Sequence, residues 1–168
     1  MGQAIRLSEY LQTLTEASNA VWRVFKTARL TGQDPSKVFE QILQKYADTS
    51  AKSYVSAYIA LCREELFNAP QDVNGYLTDA NKATAEMWKI FKAFAEKINA
   101  DTMTDDDWSK LADSASELGC KRYDYPTKGY VFGYTVLCVH ELDRWYREKH
   151  GISEEMTLSE YMKEGVRD

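Results

Sequence analysis

Two glutamates offer the clearest prospect of chemistry in this chain, because each falls on the apolar side of a predicted helix. Glu65 and Glu141 both follow a run of tyrosines and leucines at helical spacing. A carboxylate that faces a core is costly unless it is protonated or paired. We expect the partner to be a lysine on a neighbouring helix, Lys26 or Lys92, or a tyrosine hydroxyl.

Two interpretations of this carboxylate pair remain open. In the first, both carboxylates meet at the centre of a helical bundle, where they serve acid–base chemistry or bind a cation or small molecule. In the second, each belongs to a buried or half-buried ion pair that only stabilises the fold. The sequence favours the second interpretation, because a structural ion pair explains both glutamates and requires no additional catalytic group.

The histidines and cysteines give little support to other chemistry. A di-iron bundle needs Glu three residues before His, and neither His140 nor His150 has it. Cys138 and His140 are two positions apart on a helix and face different directions, so they do not make a zinc pair. We interpret Cys62 and Cys138 as small core residues. We expect no catalytic residues, no metal and no cofactor, since a glycine-rich phosphate loop is also missing.

A second group of candidates belongs to the predicted surface of the second half. The loop at residues 123–126 has no counterpart in the first half, and exposed tyrosines give contact area at a small entropic cost. Three aspartates begin the predicted helix before this loop. The candidate residues for binding a protein partner are Tyr123, Asp124, Tyr125, Asp105, Asp106 and Asp107. The alternative is an ordinary connecting loop.

Helices must position these residues, because apolar side chains recur every three or four positions and no segment alternates as a strand does. The spacing predicts six main helices and an all-α fold. The first closes at Gly32, the second is capped at Asp34, and the third follows Ser50. Pro70 and the Asn74-Gly75 pair predict a break in the chain.

The second half begins with a helix that we expect Thr78 to cap. Thr104 with Asp107 predicts a capping box for the fifth helix, which Gly119 should end. The sixth follows the loop at 123–126 and should end at Gly151. A further capping signal predicts a short C-terminal helix over residues 158–164.

An internal repeat is the strongest pattern in the sequence. Residues 54–66 read YVSAYIALCREEL and residues 130–142 read YVFGYTVLCVHEL, identical at seven of thirteen positions without a gap. Trp22 and Phe25 correspond in the same order to Trp88 and Phe91. We therefore expect one helical domain over 1–168, built from units at about 8–68 and 78–150. The units should pack with pseudo-two-fold symmetry, and the tryptophans should meet the tyrosine faces.

Composition limits the environment and the partners. Three cysteines without a secretory signal favour a reducing cytoplasm, and no apolar run approaches the length of a membrane span. The net charge is −5, and residues 101–168 carry 9 basic and 15 acidic side chains, a balance of −6. Such a surface disfavours general nucleic-acid binding and favours a basic partner.

The sequence resembles no family that we recognise, so its function is a hypothesis from surface character. We expect a non-enzymatic protein-binding or regulatory module that acts through its acidic, tyrosine-bearing second half. A phage or mobile-element inhibitor is one form that such a module takes. The alternatives are a helical enzyme or small-molecule or cation binder that uses the carboxylate pair, and a homo-oligomeric structural component.

Overall fold

A computed structural model describes residues 6–68 and 72–151. The described elements are all helical, as the sequence predicts. The helices are α1 (Leu7–Thr31), α2 (Ser36–Lys45), α3 (Lys52–Glu65), α4 (Val73–Asn99), α5 (Asp105–Ser116) and α6 (Thr127–Lys149), with a π-helical turn (Glu117–Lys121) after α5. The predicted C-terminal helix at 158–164 lies outside the described residues.

Local chemistry sets several helix ends where the sequence predicts them. Gly32 adopts a left-handed conformation with φ 73°, and its N–H donates to the Ala28 carbonyl at 2.8 Å. The residue at the N-cap position of α2 is Pro35, one residue after the predicted Asp34, and the Asp34 carboxylate accepts from the backbone N–H of Ser36 at 3.0 Å. The Thr104 and Asp107 side chains form the expected capping box at the start of α5. These contacts satisfy backbone groups that a helix end would otherwise leave unpaired.

Two helix boundaries differ from the prediction. The helix α4 begins at Val73, and Asp72 caps it by accepting from the Gly75 backbone N–H at 2.9 Å. The Asn74-Gly75 pair therefore lies in the first helical turn, where a capping carboxylate stabilises it, and Thr78 is not the cap. The prediction that Gly119 ends the fifth helix is also wrong, because the chain continues through the π-helical turn to Lys121.

The helices α3 and α6 form the centre of the molecule. The most extensive contacts of α6 are with α4 and α3, while α1 packs on α3 and α4. One face of α1 contributes a continuous stripe of six buried residues, which are Tyr10, Leu14, Ala17, Val21, Phe25 and Ala28. The core is therefore shared by both halves of the chain.

The two repeated tryptophans occupy the edge of this core. The ring of Trp22 lies 5.8 Å from the ring of Tyr130, as expected for a tryptophan that meets the tyrosine face. The ring of Trp88 instead stacks on Phe91 at 5.1 Å. Both tryptophans are only half-buried, whereas Phe25 and Phe91 are completely buried. The phenylalanines thus provide more of the hydrophobic stabilisation than the tryptophans.

The two cysteines that the repeat makes equivalent are buried alike, whereas the equivalent tryptophans have different neighbours. Cys62 and Cys138 are both completely buried. Burial raises the pKa of both thiols, as expected for small core residues. Pseudo-two-fold packing of tandem units stays a prediction, and the first unit of the pair would end before Val73 because α4 begins there.

Candidate functional site

Four tyrosines join α3 to α6 at the buried centre of the molecule. The Tyr54 hydroxyl is hydrogen-bonded to the Tyr134 hydroxyl at 2.8 Å, and the Tyr58 hydroxyl to the Tyr130 hydroxyl at 2.7 Å. The repeat makes Tyr54 equivalent to Tyr130 and Tyr58 equivalent to Tyr134, so each bond joins non-equivalent members of the two sets. Burial raises the pKa of all four hydroxyls, which keeps them neutral and available as hydrogen-bond donors.

Hydroxyls on α1 and α4 extend this tyrosine network outward. Ser18 is hydrogen-bonded to Tyr54 at 2.6 Å, and Thr84 to Tyr130 at 2.8 Å. The Thr84 hydroxyl donates to the Ala80 carbonyl at 2.8 Å, so its single hydrogen is used there. It follows that Tyr130 donates to Thr84, and that Tyr58 donates to Tyr130.

Glu65 is a buried carboxylate at the end of α3, with 4% of the residue exposed. The Tyr76 hydroxyl donates to its Oε1 at 2.8 Å. Arg29 donates from its guanidinium to the backbone carbonyl of Glu65. Burial raises the pKa of the Glu65 carboxyl, although the Tyr76 hydrogen bond and the positive charge of Arg29 work in the opposite direction. The partner of Glu65 is therefore a tyrosine hydroxyl, one of the two expected kinds.

Glu141 is equally buried but has a stronger set of partners. The Arg144 guanidinium donates to both carboxylate oxygens, from Nε at 2.9 Å and from Nη2 at 2.7 Å. The Ser53 hydroxyl donates at 3.0 Å, and the Tyr10 hydroxyl also donates to the carboxylate. Burial lowers the pKa of the Arg144 guanidinium. The hydrogen bonds with Glu141 and the negative charge of that carboxylate have a larger combined effect, so the pKa of Arg144 is raised. This two-point ion pair holds Glu141 in place.

The structure does not bring the two carboxylates together. Ser53, which donates to Glu141, lies at the start of α3, and Glu65 ends the same helix twelve residues later. Twelve residues of α-helix rise about 18 Å. The interpretation of Glu65 and Glu141 as one central pair is therefore wrong, because α3 and α6 pack antiparallel and place them at opposite ends.

The lysines are not partners of either carboxylate. Lys26 follows the buried Phe25 and Lys92 follows the buried Phe91, so each points about a quarter-turn away from the core. Both lysines are exposed. Of the two kinds of partner expected, the lysines are wrong and the tyrosine hydroxyls are found, while Arg29 and Arg144 supply the positive charge.

The three aspartates of α5 have separate local roles. Asp107 is buried and accepts from the Thr104 backbone N–H at 3.0 Å, and this hydrogen bond lowers the pKa of its carboxyl. Asp106 pairs with Lys110 at 3.0 Å, one helical turn along. Asp105 is exposed in the same first turn. Asp107 is therefore a capping residue, which leaves Asp105 and Asp106 on the surface.

The loop at 123–126 presents one of its tyrosines to solvent. Tyr125 is 75% exposed, and the Lys128 ammonium lies 5.4 Å from the centre of its ring. Asp124 is exposed, whereas Tyr123 is half-buried against the core. The loop follows the end of α5 and the π-helical turn, while the aspartates begin α5, which is twelve residues or about 18 Å long. The exposed candidates therefore form two separate surfaces, Asp105 with Asp106 and Asp124 with Tyr125.

A groove lies between α1 and α2 that the sequence does not predict. Two adjoining hollows of about 410 and 510 Å³ share the residues 33–35 that connect these helices. We call them together the α1–α2 groove. Its lining includes Ala20, Arg23, Val24, Ala28, Arg29, Val38, Ile42, Arg63 and Phe67. Val38 is 43% exposed in this groove although it is apolar, whereas the adjacent Phe39 is completely buried. Apolar residues on two sides of α2 are the sequence feature that indicates such a groove.

The described residues contain neither a cluster of metal ligands nor a helix that could span a membrane. Within 6–68 and 72–151, no three or more His, Cys, Asp or Glu side chains are grouped so as to hold a metal ion. None of the helices in those ranges combines the length and apolar character needed to cross a bilayer. Comparison with protein-family models, curated proteins and solved structures found no match.

Proposed function

We propose that this chain is a protein-binding module that engages its partner through the loop at 123–126. The observation that carries the proposal is the 75% exposure of Tyr125 in a loop that the first half of the sequence lacks. Large exposed aromatic side chains are enriched where proteins bind one another, since they bury much area with little loss of rotamer freedom.

The anchoring of the loop supports the same proposal. Tyr123 packs against the core while Tyr125, two residues later, projects into solvent. The Lys128 ammonium at 5.4 Å restrains the Tyr125 ring from one side. A side chain that is held in place before binding loses less entropy when a partner covers it. Tyr125 is therefore prepared for contact.

The surrounding charge favours a basic partner. Asp124 is exposed in the loop, and the negative charges of Glu86 and Asp79 act on Tyr123. Burial is the main cause of the raised pKa of Tyr123, and these two carboxylates add to it. Arg122 pairs with Glu86 and the Lys128 ammonium lies at the Tyr125 ring, so two cations offset part of this negative charge. Complementary charge would mainly speed association and select the partner.

The polar interior supports a structural role for the buried carboxylates and tyrosines. Glu141 has hydrogen bonds from three side chains, and Glu65 has one from Tyr76. The four central tyrosines are bonded to one another and to hydroxyls on α1 and α4. Groups so fully engaged stabilise the fold, and a ligand would have to displace those bonds.

The test is a comparison of partner capture by three forms of the full chain from extracts of its source. Tyr125→Ala should reduce capture of the specific partner by about tenfold, the effect of losing an aromatic hot spot. Phe132→Ala is the matched control, because Phe132 is an aromatic residue 49% exposed on α6 and outside the loop. Equal capture by wild type and Tyr125→Ala would remove the loop from the proposal.

A further inference from the structure

The α1–α2 groove is shaped like a trough between two helices. Ala20, Val24 and Ala28 are spaced by four residues, so they form one stripe along α1. Val38 and Ile42 have the same spacing on α2 and form the facing wall. The lining of this hollow is therefore mostly apolar. Such a trough has the shape that a third helix fills when helices pack with side-chain ridges in grooves.

The charge of the α1–α2 groove is opposite to that of the chain. Arg23 lines the first hollow, and Arg29 and Arg63 line the second. Asp34 is the acidic residue of both linings, and its carboxylate already accepts two hydrogen bonds from Ser36. Three arginines and one aspartate give the linings a balance of +2, whereas the whole chain carries −5.

Two of the three arginines are placed to bind a ligand in the groove. Arg29 is already engaged, because its guanidinium donates to the Glu65 carbonyl and lies over the rings of Phe25 and Tyr76. This leaves Arg23 and Arg63. Arg63 pairs with Glu40 at 3.1 Å, but both side chains are well exposed, so this pair contributes little and exchanges readily. Arginine prefers carboxylate partners, which it can bind through two donors at once.

We propose that the α1–α2 groove binds an amphipathic helical segment of a partner protein, with apolar residues on one face and glutamates or aspartates beside them. The apolar face would lie against Ala20, Val24 and Val38, and the acidic residues would reach Arg23 and Arg63 at the rim. This mode of recognition, a helix in a groove, uses apolar anchors at helical spacing. The site is separate from the loop at 123–126, and this proposal does not depend on that loop.

The test uses two synthetic, fluorescently labelled peptides and the full chain. Both have leucines at positions i, i+3, i+4 and i+7, and one has glutamates where the other has lysines. Fluorescence anisotropy should show binding of the glutamate peptide, with affinity for the lysine peptide at least about tenfold weaker. Higher salt should weaken binding of the glutamate peptide, because exposed charges are screened.

Two substitutions identify the groove as the binding site. Val38→Glu introduces a carboxylate into the lining and should weaken the glutamate peptide by about tenfold or more. Leu30→Glu is the matched control, because Leu30 is 52% exposed on α1 but lines neither hollow, and it should leave the affinity unchanged. Circular dichroism checks that both variants remain folded.

Three outcomes would overturn the proposal. Equal affinity for the two peptides would show that the arginines do not select acidic ligands. A Val38→Glu variant that is folded and binds normally would place the peptide elsewhere. Self-association seen by light scattering and abolished by Val38→Glu would make a second copy of this chain the occupant. Tyr125→Ala should leave peptide binding intact, so failure of this site and failure of the loop are distinguishable.

Discussion

The Tyr58 hydroxyl donates to the Tyr130 hydroxyl at 2.7 Å and so joins α3 to α6 at the buried centre. The direction of this bond follows from Thr84. The Thr84 hydroxyl donates its single hydrogen to the Ala80 carbonyl, so it must accept from Tyr130. The bonds therefore run in order from Tyr58 through Tyr130 to Thr84. Removing different members of this series should have unequal effects on stability.

Tyr130→Phe should destabilise the fold more than Tyr58→Phe does. Loss of the Tyr130 hydroxyl leaves the buried Tyr58 donor without an acceptor, at a cost of about 1–3 kcal/mol. Loss of the Tyr58 hydroxyl leaves Tyr130 still donating to Thr84 and should cost about 1 kcal/mol or less. The free energy of unfolding in urea measures both effects.

The double variant Tyr58→Phe with Tyr130→Phe provides a control, because it removes donor and acceptor together. It should be less destabilised than the sum of the single variants. Tyr125→Phe, at an exposed position, should change stability by no more than about 0.5 kcal/mol. Equal costs for the two buried single variants would contradict the inferred direction of donation.

Glu141→Gln should destabilise the protein more than Glu65→Gln. The amide would leave Arg144 partly unpaired in a site where that side chain is 25% exposed, and we expect a loss of about 2–3 kcal/mol. The amide at position 65 can still accept from Tyr76, and the change there should be within about 1 kcal/mol. Thermal and urea unfolding near neutral pH test the order, and a larger loss from Glu65→Gln would contradict it.

The stability of the wild type relative to Glu65→Gln should fall as the pH rises. Because the folded state raises the pKa of Glu65, that state keeps its proton over a range in which the unfolded chain has lost it. The stabilising contribution is complete below the unfolded value of about 4.3 and is lost as the pH passes through the raised pKa. The Glu65 carboxyl is also influenced by Arg29, Tyr76 and Glu64. Urea titrations of the wild type and of Glu65→Gln across this pH range isolate the contribution of Glu65 itself. A constant difference would refute the prediction.

Gly119→Ala should cost about 1–3 kcal/mol, because a methyl group there would meet α6. The Cβ of an alanine at position 119 would lie 2.5 Å from the Thr135 hydroxyl and 3.3 Å from the Phe132 Cα. The Phe132 Cα is a backbone atom, so it cannot move away by a side-chain rotation. Gly133→Ala is the matched comparison, since its Cβ would meet the Leu61 Cδ1, the end of a flexible side chain. The alanine at 133 should therefore cost less, as chemical denaturation would show.

The sequence predicts the helical elements well because local interactions determine them. Apolar periodicity defines the helices, Gly32 supplies the left-handed stop, and Thr104 with Asp107 supplies a cap that needs only neighbouring residues. The start of α4 is different. Asp72 competes with Thr78 as a cap, and which of them acts depends on whether the Asn74-Gly75 pair is stabilised as helix.

The partners of the buried carboxylates could not be predicted in the same way. Helical spacing shows that Glu65 and Glu141 face inward, but their separation depends on the direction in which α3 and α6 cross. The lysines were plausible partners by repeat position, yet each points outward from its own helix. The α1–α2 groove also escaped prediction, since an apolar stripe on a helix does not reveal which part of it another helix will cover.

Tyr10 on the first helix donates to Glu141 in the second half of the chain, while Tyr76 at the start of the second half donates to Glu65 in the first. Each half therefore donates a tyrosine hydrogen bond to a buried carboxylate of the other half, so a half on its own would lose one of the hydrogen bonds at its carboxylate. Local opening at either carboxylate would therefore remove a hydrogen bond that joins the two halves. The molecule should consequently lose its structure in a single transition, and not half by half.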